Sequence, residues 1–569
     1  MRFLNKLRKK FNNVELFDAD LEAYQREAVQ FLKDTPRSAL FIDTGLGKTA
    51  ICLRLIRDLV DAGEVNNVLI IAPLKVANQT WGAEIETWEF SAPIPYKLVR
   101  ADHIVDAVNA AGRMAKNTVL SEKDLKKIER KVQTRLKKSK ANNTLSSQQE
   151  AQIERDLRKS TEADYRKHLS EMAREFEAGH QLRAYEKVKP TIIHIINQEM
   201  VEWLVNALGD KWIYDCVIYD ESDAIKDAST KRWKALDSIK HMTTRFYELT
   251  ATPAAEDYLG LFAQIKLLDG GKRLGRTMTE YKQRYFNENP YSHKITLKDG
   301  AADEITKAIA DITLVMKQED YLKDIPPYII DNVLYPLSEA AKAYYDSMSK
   351  TGGVKLENGV EIYAEQAVSV LQKMMQISAG FIYESEETLS DFGTFKNQRT
   401  IHHLHNDKIK ALSDLMAKYP NENFLISYYH QGSLEKLQKY FPNAVKMDRK
   451  GTQKQAWNDG KIKMLLMHPK SGAHGLNLQK GGHIVINYDV YFSYALFYQF
   501  LRRLARRGQP HHEVLVFNLL AEATYDQIVE RGCWVDKKNA QNMFFEMIKT
   551  LKVKKNGNTQ KNAKDKNRS

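Results

Sequence analysis

Cysteine is scarce in this chain: three residues in 569, Cys52, Cys216 and Cys533, all far apart. That spacing supplies neither a disulfide framework nor a zinc-ligand set, and it suits a reducing compartment. Long apolar runs are missing too. None approaches the roughly 18 residues needed to span a bilayer, although 43% of the residues are hydrophobic. The opening MRFLNKLRKKF carries charges with no apolar stretch behind it, so no secretory signal is read there and the cytoplasm is the expected location. Acidic residues fall short of basic ones, 73 against 86, leaving a net charge of +13. A basic excess favours a polyanionic partner through counterion release, but by itself it names none. Glycine and proline are both absent from Arg113 to Ala178.

A chain of this length exceeds one hydrophobic core, so two or more domains are expected. Short β-branched runs separated by helical patterns fill the first half: SALFIDTG, NVLIIAP, DCVIYDE and RFYELTATP. A second series follows residue 420: NFLISYYH, IKMLLMHP, HIVINYD and EVLVFNLL. Each series predicts an open α/β sheet with ligands at the carboxyl ends of its strands. Within the stretch lacking glycine and proline, Leu125, Ile128, Val132 and Leu136 recur at helical spacing. So do Ile153, Leu157, Leu169, Met172 and Phe176. A charged helical hairpin over about 101–188 is expected, its first arm carrying nine Lys or Arg against two acids from Lys123 to Lys140. That arm is either a solvated face or a nucleic-acid contact. The reading divides the chain into a basic segment 1–14, a first lobe 15–270, helical linker and elaborations 271–400, a second lobe 401–550 and a basic disordered tail 551–569.

LFIDTGLGKTA sets Thr44, Gly45, Leu46, Gly47, Lys48 and Thr49 directly after a strand and before a helix, where a phosphate loop belongs. Glycines let backbone N–H groups curl around phosphates, and the helix N-terminus adds its positive end. Lys48 would reach the β and γ phosphates, and the Thr49 hydroxyl would bind Mg²⁺. Ile42 stands where the simple motif has its first glycine. In DCVIYDESD, Asp220 can hold the metal shell and Glu221 can orient the attacking water. Thr250 and Thr252 of ELTATP follow another strand and could link ATP to movement. Gln25, 23 residues before Lys48, offers an amide that can pair with adenine N6 and N7.

In order, YQREAV, DTGLGKT, IAPLKVANQTW, YDESD, LTATP, LISYYHQ, HPKSGAHGLNLQ and YQFLRRLARRGQ resemble the Snf-type (sucrose-non-fermenting) ATPases of helicase superfamily two. The likeness covers roughly 15–550 without the insertion, and QIKLLDGGKRLG brings it nearest to bacteriophage-encoded members. The family tolerates a non-glycine at the position of Ile42. It implies two RecA-like lobes, ATP and Mg²⁺ as cofactors, and translocation on DNA, chiefly duplex, with little sequence specificity. Gln499, Arg503 and Arg506 map onto its last motif, Arg506 as arginine finger and Arg503 as γ-phosphate support. Lys75, Ser471, Gly472 and Asn477 map onto segments that contact the nucleic-acid backbone or couple it to ATP. Asp223 departs from the usual histidine of the D-E-x-H signature, which leaves the coupling of ATP state to the threonines differently tuned.

On a helical wheel Gln499, Arg502, Arg503, Arg506 and Arg507 share a sector about 140° wide, opposite Phe497, Phe500, Leu501, Leu504 and Ala505. The family gives no role to Arg502 or Arg507, so a solvated face is expected for both. His402, His403 and His405 read as a polar loop leading into the second lobe rather than as a metal site. The function expected is an ATP-dependent DNA translocase or helicase, with a protein partner possible through the insertion and no membrane. An RNA-dependent ATPase and a nucleic-acid-binding scaffold switched by ATP stay open as alternatives.

Overall fold

The computed structural model describes residues 16–99, 129–134, 154–155, 157–158, 160–161, 192–253, 258–290, 295–364, 366–389, 395–448, 451–472 and 476–549. The basic N-terminal segment, most of the insertion and the tail lie outside these. Two short helical pieces of the insertion, 129–134 and 154–161 in part, touch through an Arg158–Glu129 ion pair of 2.6 Å.

Seven strands form the first sheet: β1 Arg37–Ile42, β2 Asn67–Ala72, β3 Tyr96–Leu98, β4 Ile192–Asn197, β5 Cys216–Asp220, β6 Arg245–Thr250 and β7 Thr313–Met316. They run parallel in the order β3-β4-β2-β5-β6-β1-β7. Six more form the second: β8 Tyr328–Tyr335, β9 Phe424–Ser427, β10 Val445–Lys446, β11 Met464–Met467, β12 Ile484–Asn487 and β13 Val514–Ala521. These are also parallel, in the order β8-β13-β12-β9-β11-β10. Central strands are buried along their whole length, as β2 and β5 are, because helices cover both faces of a parallel sheet. Each lobe therefore has a core on either side of its sheet. Two RecA-like lobes are the result.

The boundaries differ from those read in the sequence. The first sheet is completed by β7 and the second opens with β8, both inside the stretch taken as helical elaboration. β8 lacks the alternation of a half-buried strand, with Asp331 and Asn332 between two apolar triplets, and it is a mostly exposed edge strand whose pattern does not stand out. A long antiparallel hairpin, Phe381–Leu389 with Phe395–His403, starts in that same stretch and runs past its end at residue 400. His402 and His403 thus lie in a strand, not a loop: His402 meets Glu384 at 2.7 Å, and His403 meets Glu435 at 3.7 Å. His405 follows and faces Asp407 at 3.0 Å. No metal-holding group of His, Cys, Asp or Glu occurs among the described residues.

The helix at 536–549 leaves the second lobe and returns to the first. Phe544, Phe545 and Ile548 are buried in the core of the first lobe, and the Gln541 amide donates to the Ala251 carbonyl at 2.9 Å. No described helix is long and apolar enough to cross a membrane.

Candidate nucleotide site at the lobe interface

β1 delivers the chain into the loop Asp43–Gly47, and helix α2 (Lys48–Asp61) starts from Gly47. Gly47 has φ +80°, and a Cβ there would lie 2.2 Å from the Gln25 Nε2, so any other residue would strain the backbone and displace the Gln25 amide. Ile42 is the last residue of β1 and fully buried, which gives it a core role that glycine would not fill. Gln25 sits on helix α1 (Ala23–Asp34) against the loop. Its Nε2 donates to the Leu46 carbonyl at 3.1 Å, and its Oε1 accepts the Glu22 N–H at 2.9 Å. One hydrogen and one lone pair remain on that amide for an adenine edge.

Across the loop stand Asp220, at the end of β5, and Glu221 after it. Glu221 has φ +56°, a left-handed backbone uncommon outside glycine. The Gln198 amide spans this bend, donating to the carbonyls of Asp220 at 2.9 Å and Glu221 at 3.3 Å. Lys48 Nζ lies 3.2 Å from Glu221 Oε1. Burial depresses the ammonium, but Glu221 and Asp220 outweigh it and hold Lys48 above its ordinary pKa. The ion pair is thus a resting contact: a phosphate that takes Lys48 frees Glu221. Asp220 Oδ2 accepts the Trp81 indole N–H at 3.2 Å, while Oδ1 is buried with no partner. The Thr44 hydroxyl and both amide atoms of Gln318 are also buried without partners. Gln318 Nε2 is 3.0 Å from where a Gly45 Cβ would be. Orphaned groups cost about 1–3 kcal/mol each. Donors on Thr44 and Gln318 suit phosphate, and a bare carboxylate oxygen on Asp220 suits a divalent cation, so the residues fit ATP with Mg²⁺.

The second lobe contributes from α3 (Tyr494–Leu501) and the turns after it. Gln499 Nε2 reaches Glu221 Oε2 at 3.4 Å across the cleft. Arg503 is buried, with Nε donating to the Gln499 carbonyl at 2.9 Å and Nη1 to the Leu476 carbonyl at 3.4 Å. Burial and the neighbouring Arg506 push its guanidinium down to about 9. Arg506 is half-buried beside it and is also depressed by burial. The helix stops at Leu501 because Arg503 and Leu504 N–H groups bond three residues back, to Phe500 and Leu501. The wheel drawn through residue 507 therefore fails. Arg502 is 4% exposed rather than solvated, whereas Arg507 is exposed and meets Glu22 of the first lobe at 3.4 Å.

Thr250 and Thr252 are buried below the acids, and the Thr252 N–H donates to Thr250 Oγ1 at 3.0 Å. The link between them and the acids runs from the Ser222 hydroxyl to Gln264 Oε1 (3.0 Å), whose Nε2 donates to the Pro253 carbonyl (3.3 Å). Lys75 precedes the short helix Val76–Thr80 and is half-buried. Burial lowers its pKa, and Asp448 of the second lobe faces it. Thr49 opens α2 beside Lys48. Ser471 and Gly472 lie in the short helix Pro469–Gly472, and Asn477 is exposed on the same segment, which Arg503 anchors through Leu476. Gln198 and Gln318 carry no motif that sequence reading would flag, whereas Trp81 and Gln264 fall in IAPLKVANQTW and QIKLLDGGKRLG without a role of their own being read there. The one signal is position: Gln198 and Gln318 each come just after a strand's carboxyl end.

Asp223 is pushed up to about 7, by burial first and by Glu221 next. Asp220 is raised to about 6, chiefly by burial, with Lys48 opposing. These two carboxyls therefore hold more protons in the folded protein than in the unfolded chain between about pH 4 and 7, and their contribution to stability without nucleotide falls as pH rises through that window. Asp223→Asn is expected to remove its share, making the variant the more stable protein at pH 8 but not at pH 5 in urea unfolding.

The family model for the SNF2-related domain matches residues 24–380. The chain belongs to the SNF2-related family. Among SNF2-related and other relatives, protein p41 of Acyrthosiphon pisum secondary endosymbiont phage 1 is 26% identical over 543 residues, covering 92% of this chain and 98% of that protein. The uncharacterized ATP-dependent helicase YqhH of Bacillus subtilis is 23% identical over 342 residues, 55% of this chain and 57% of YqhH. The DNA annealing helicase and endonuclease ZRANB3 of Bos taurus is 24% identical over 336 residues, 58% of this chain and 29% of ZRANB3. The likeness to this one phage-encoded protein thus extends over nearly the whole chain.

Proposed function

We propose that this SNF2-related protein is an ATP-driven DNA motor, in which hydrolysis between two RecA-like lobes is converted into movement along duplex DNA. The contact that carries the reading is Gln499 to Glu221, 3.4 Å across the cleft, with Arg503 and Arg506 beside it. A site assembled from both lobes makes hydrolysis depend on closure, and release reopens it.

In this mechanism ATP enters the phosphate loop, and Lys48 leaves Glu221 for the β and γ phosphates. Asp220 and the Thr49 hydroxyl would hold Mg²⁺, which supplies charge neutralisation at the phosphates when bound. Glu221, freed from Lys48 and oriented by Gln499, aligns the attacking water and accepts its proton. Arg506 meets the charge that develops on the γ-phosphate, with Arg503 behind it. The adenine is read by Gln25. Ser222, Gln264 and the Thr250–Thr252 turn carry the change toward the DNA face, where Lys75, Ser471, Gly472 and Asn477 contact backbone phosphates, which fix position without reading sequence. DNA is favoured by the net charge of +13 and by the relative whose name specifies DNA annealing. The likeness to p41 favours a role in phage DNA replication, recombination or repair in the host cytoplasm. The charged segment 101–188 is the place we assign to a partner protein.

Steady-state ATPase rates with no nucleic acid, single-stranded DNA, duplex DNA and RNA test this directly. Duplex DNA is expected to stimulate most, and the stimulation should weaken with salt as counterion release is suppressed. Greater stimulation by RNA would replace DNA as the track, and equal slow rates in all four would remove the motor.

A further inference from the structure

The Thr250–Thr252 turn is held from two sides, and only one of them has a part in the mechanism above. On the acid side, Gln264 accepts the Ser222 hydroxyl and donates to the Pro253 carbonyl. The other hold comes from 290 residues further along the chain, where the Gln541 amide donates to the Ala251 carbonyl at 2.9 Å. Gln541 is buried, and its Oε1 is buried with no partner, so that single donated bond is its side chain's polar contact among the described residues. Ala251 is itself fully buried, in a cluster with Tyr491, Tyr494, Phe497 and Trp534. A residue of the first lobe thus sits among aromatic rings of the second.

The helix at 536–549 that carries Gln541 is anchored on either side. Before it, Trp534 stacks on Phe497 of α3, with centroids 4.4 Å apart and planes 13° apart, and its indole N–H donates to the Tyr491 carbonyl at 3.0 Å. Because α3 also carries Gln499, this anchor moves with the second lobe. At its far end, Phe544 meets Tyr258 edge-on at 5.6 Å, Glu546 pairs with Lys317 at 2.6 Å and Lys549 pairs with Asp320, all in the first lobe. Residues 535–540 lie at the surface, and Gln541 is the first buried residue after them. A shift of the second lobe against the first is therefore passed along this helix, and Gln541 is where it meets the turn.

We propose that Gln541 is a positioning residue that conveys the second lobe's position to the Thr250–Thr252 turn, so that stimulation of ATP hydrolysis by DNA runs through its bond to Ala251. Coupling between distant sites needs an element with two arrangements that both sites bias. The turn is that element, with Gln264 on its ATP side and Gln541 on its DNA side. DNA held at Ser471, Gly472 and Asn477 biases the second lobe, and the bias reaches the turn through Trp534, Phe497 and the last helix. Without DNA nothing loads this path, and hydrolysis proceeds by spontaneous closure.

This rests on the DNA-motor reading, and titration of ATPase rates with duplex DNA in full-length wild type and variant separates the two. Gln541→Met keeps the length and burial of the side chain but cannot donate. It strands the Ala251 carbonyl and removes the stranded Oε1, so the midpoint of thermal unfolding should move by no more than about 4 °C. Maximal stimulation by DNA should fall by about twofold or more, the range in which coupling residues act. The rate without DNA, the KM for ATP and the DNA concentration giving half the stimulation should each stay within about twofold. Stimulation reduced by less than about twofold overturns the proposal. So does an equal loss of the basal and stimulated rates, which is what a merely structural role would give. Should Gln541→Met fail to fold, Gln541→Asn decides, since its amide is one methylene too short to reach Ala251: lost stimulation supports the proposal, and stimulation like wild type overturns it. A wild-type chain that DNA does not stimulate refutes the motor reading and the proposal with it. Wild type and variant stimulated alike refute the proposal and leave the motor standing.

Discussion

Arg506→Ala is expected to slow ATP hydrolysis by about 10³–10⁵-fold, with nucleotide affinity held within a few-fold. The argument is electrostatic. Arg503 and Arg506 are adjacent cations, and each is depressed by burial, Arg503 further by its neighbour. Two cations held together in a water-poor cleft repel until an anion arrives, and the γ-phosphate is that anion. Most of the gain comes as charge spreads over the γ-phosphate oxygens in the transition state, so kcat and not binding carries the loss. Removing Arg506 also relieves the repulsion on Arg503, and the variant should unfold no more easily than wild type without nucleotide. Steady-state kinetics, a fluorescent ATP analogue and thermal unfolding read the three quantities. Hydrolysis within tenfold of wild type would place the finger elsewhere.

Glu221→Gln is the second large effect, a loss of about 10²–10⁴-fold in hydrolysis with ATP binding retained or tightened. Glutamine keeps the shape that the left-handed bend and the Gln198 clamp require. It cannot accept the proton of the attacking water, and it no longer competes for Lys48, whose ammonium sits 3.2 Å away. Nucleotide should therefore bind at least as well while turnover collapses. Lys48→Ala should do the opposite and lose the nucleotide. An active Glu221→Gln enzyme would mean that another group takes that proton.

What could be read from the sequence was what local backbone demands dictate. A loop that curls around phosphates needs Gly45 and Gly47 in left-handed conformations after a buried strand, and that requirement is written in consecutive residues. The acid pair was visible for the same reason, since β5 is an apolar run that ends in it. The pieces that went unread depend on partners far away in the chain. β7 is only four residues long and gains its place by lying against β1. Gln198 looks like any polar residue after a strand until its amide is seen across the carbonyls of Asp220 and Glu221. Arg502 was misread because what buries it comes from far away in the chain: its N–H still bonds the Tyr498 carbonyl as in a helix, but its guanidinium lies over Tyr328 of β8. The insertion over 101–188 showed its composition and not its contacts.

The helix at 536–549 has a consequence for how the protein is made. Phe544, Phe545 and Ile548 belong to the core that also holds Phe41 and Tyr258, so the first lobe is built from both ends of a chain that forms another whole lobe in between. During synthesis, domains generally fold as they emerge. Here the first lobe cannot close its core until residue 548 has left the ribosome. For most of translation an apolar groove stays open on a nearly finished ATP-binding domain. The second lobe reaches completion first, and the motor is capped last.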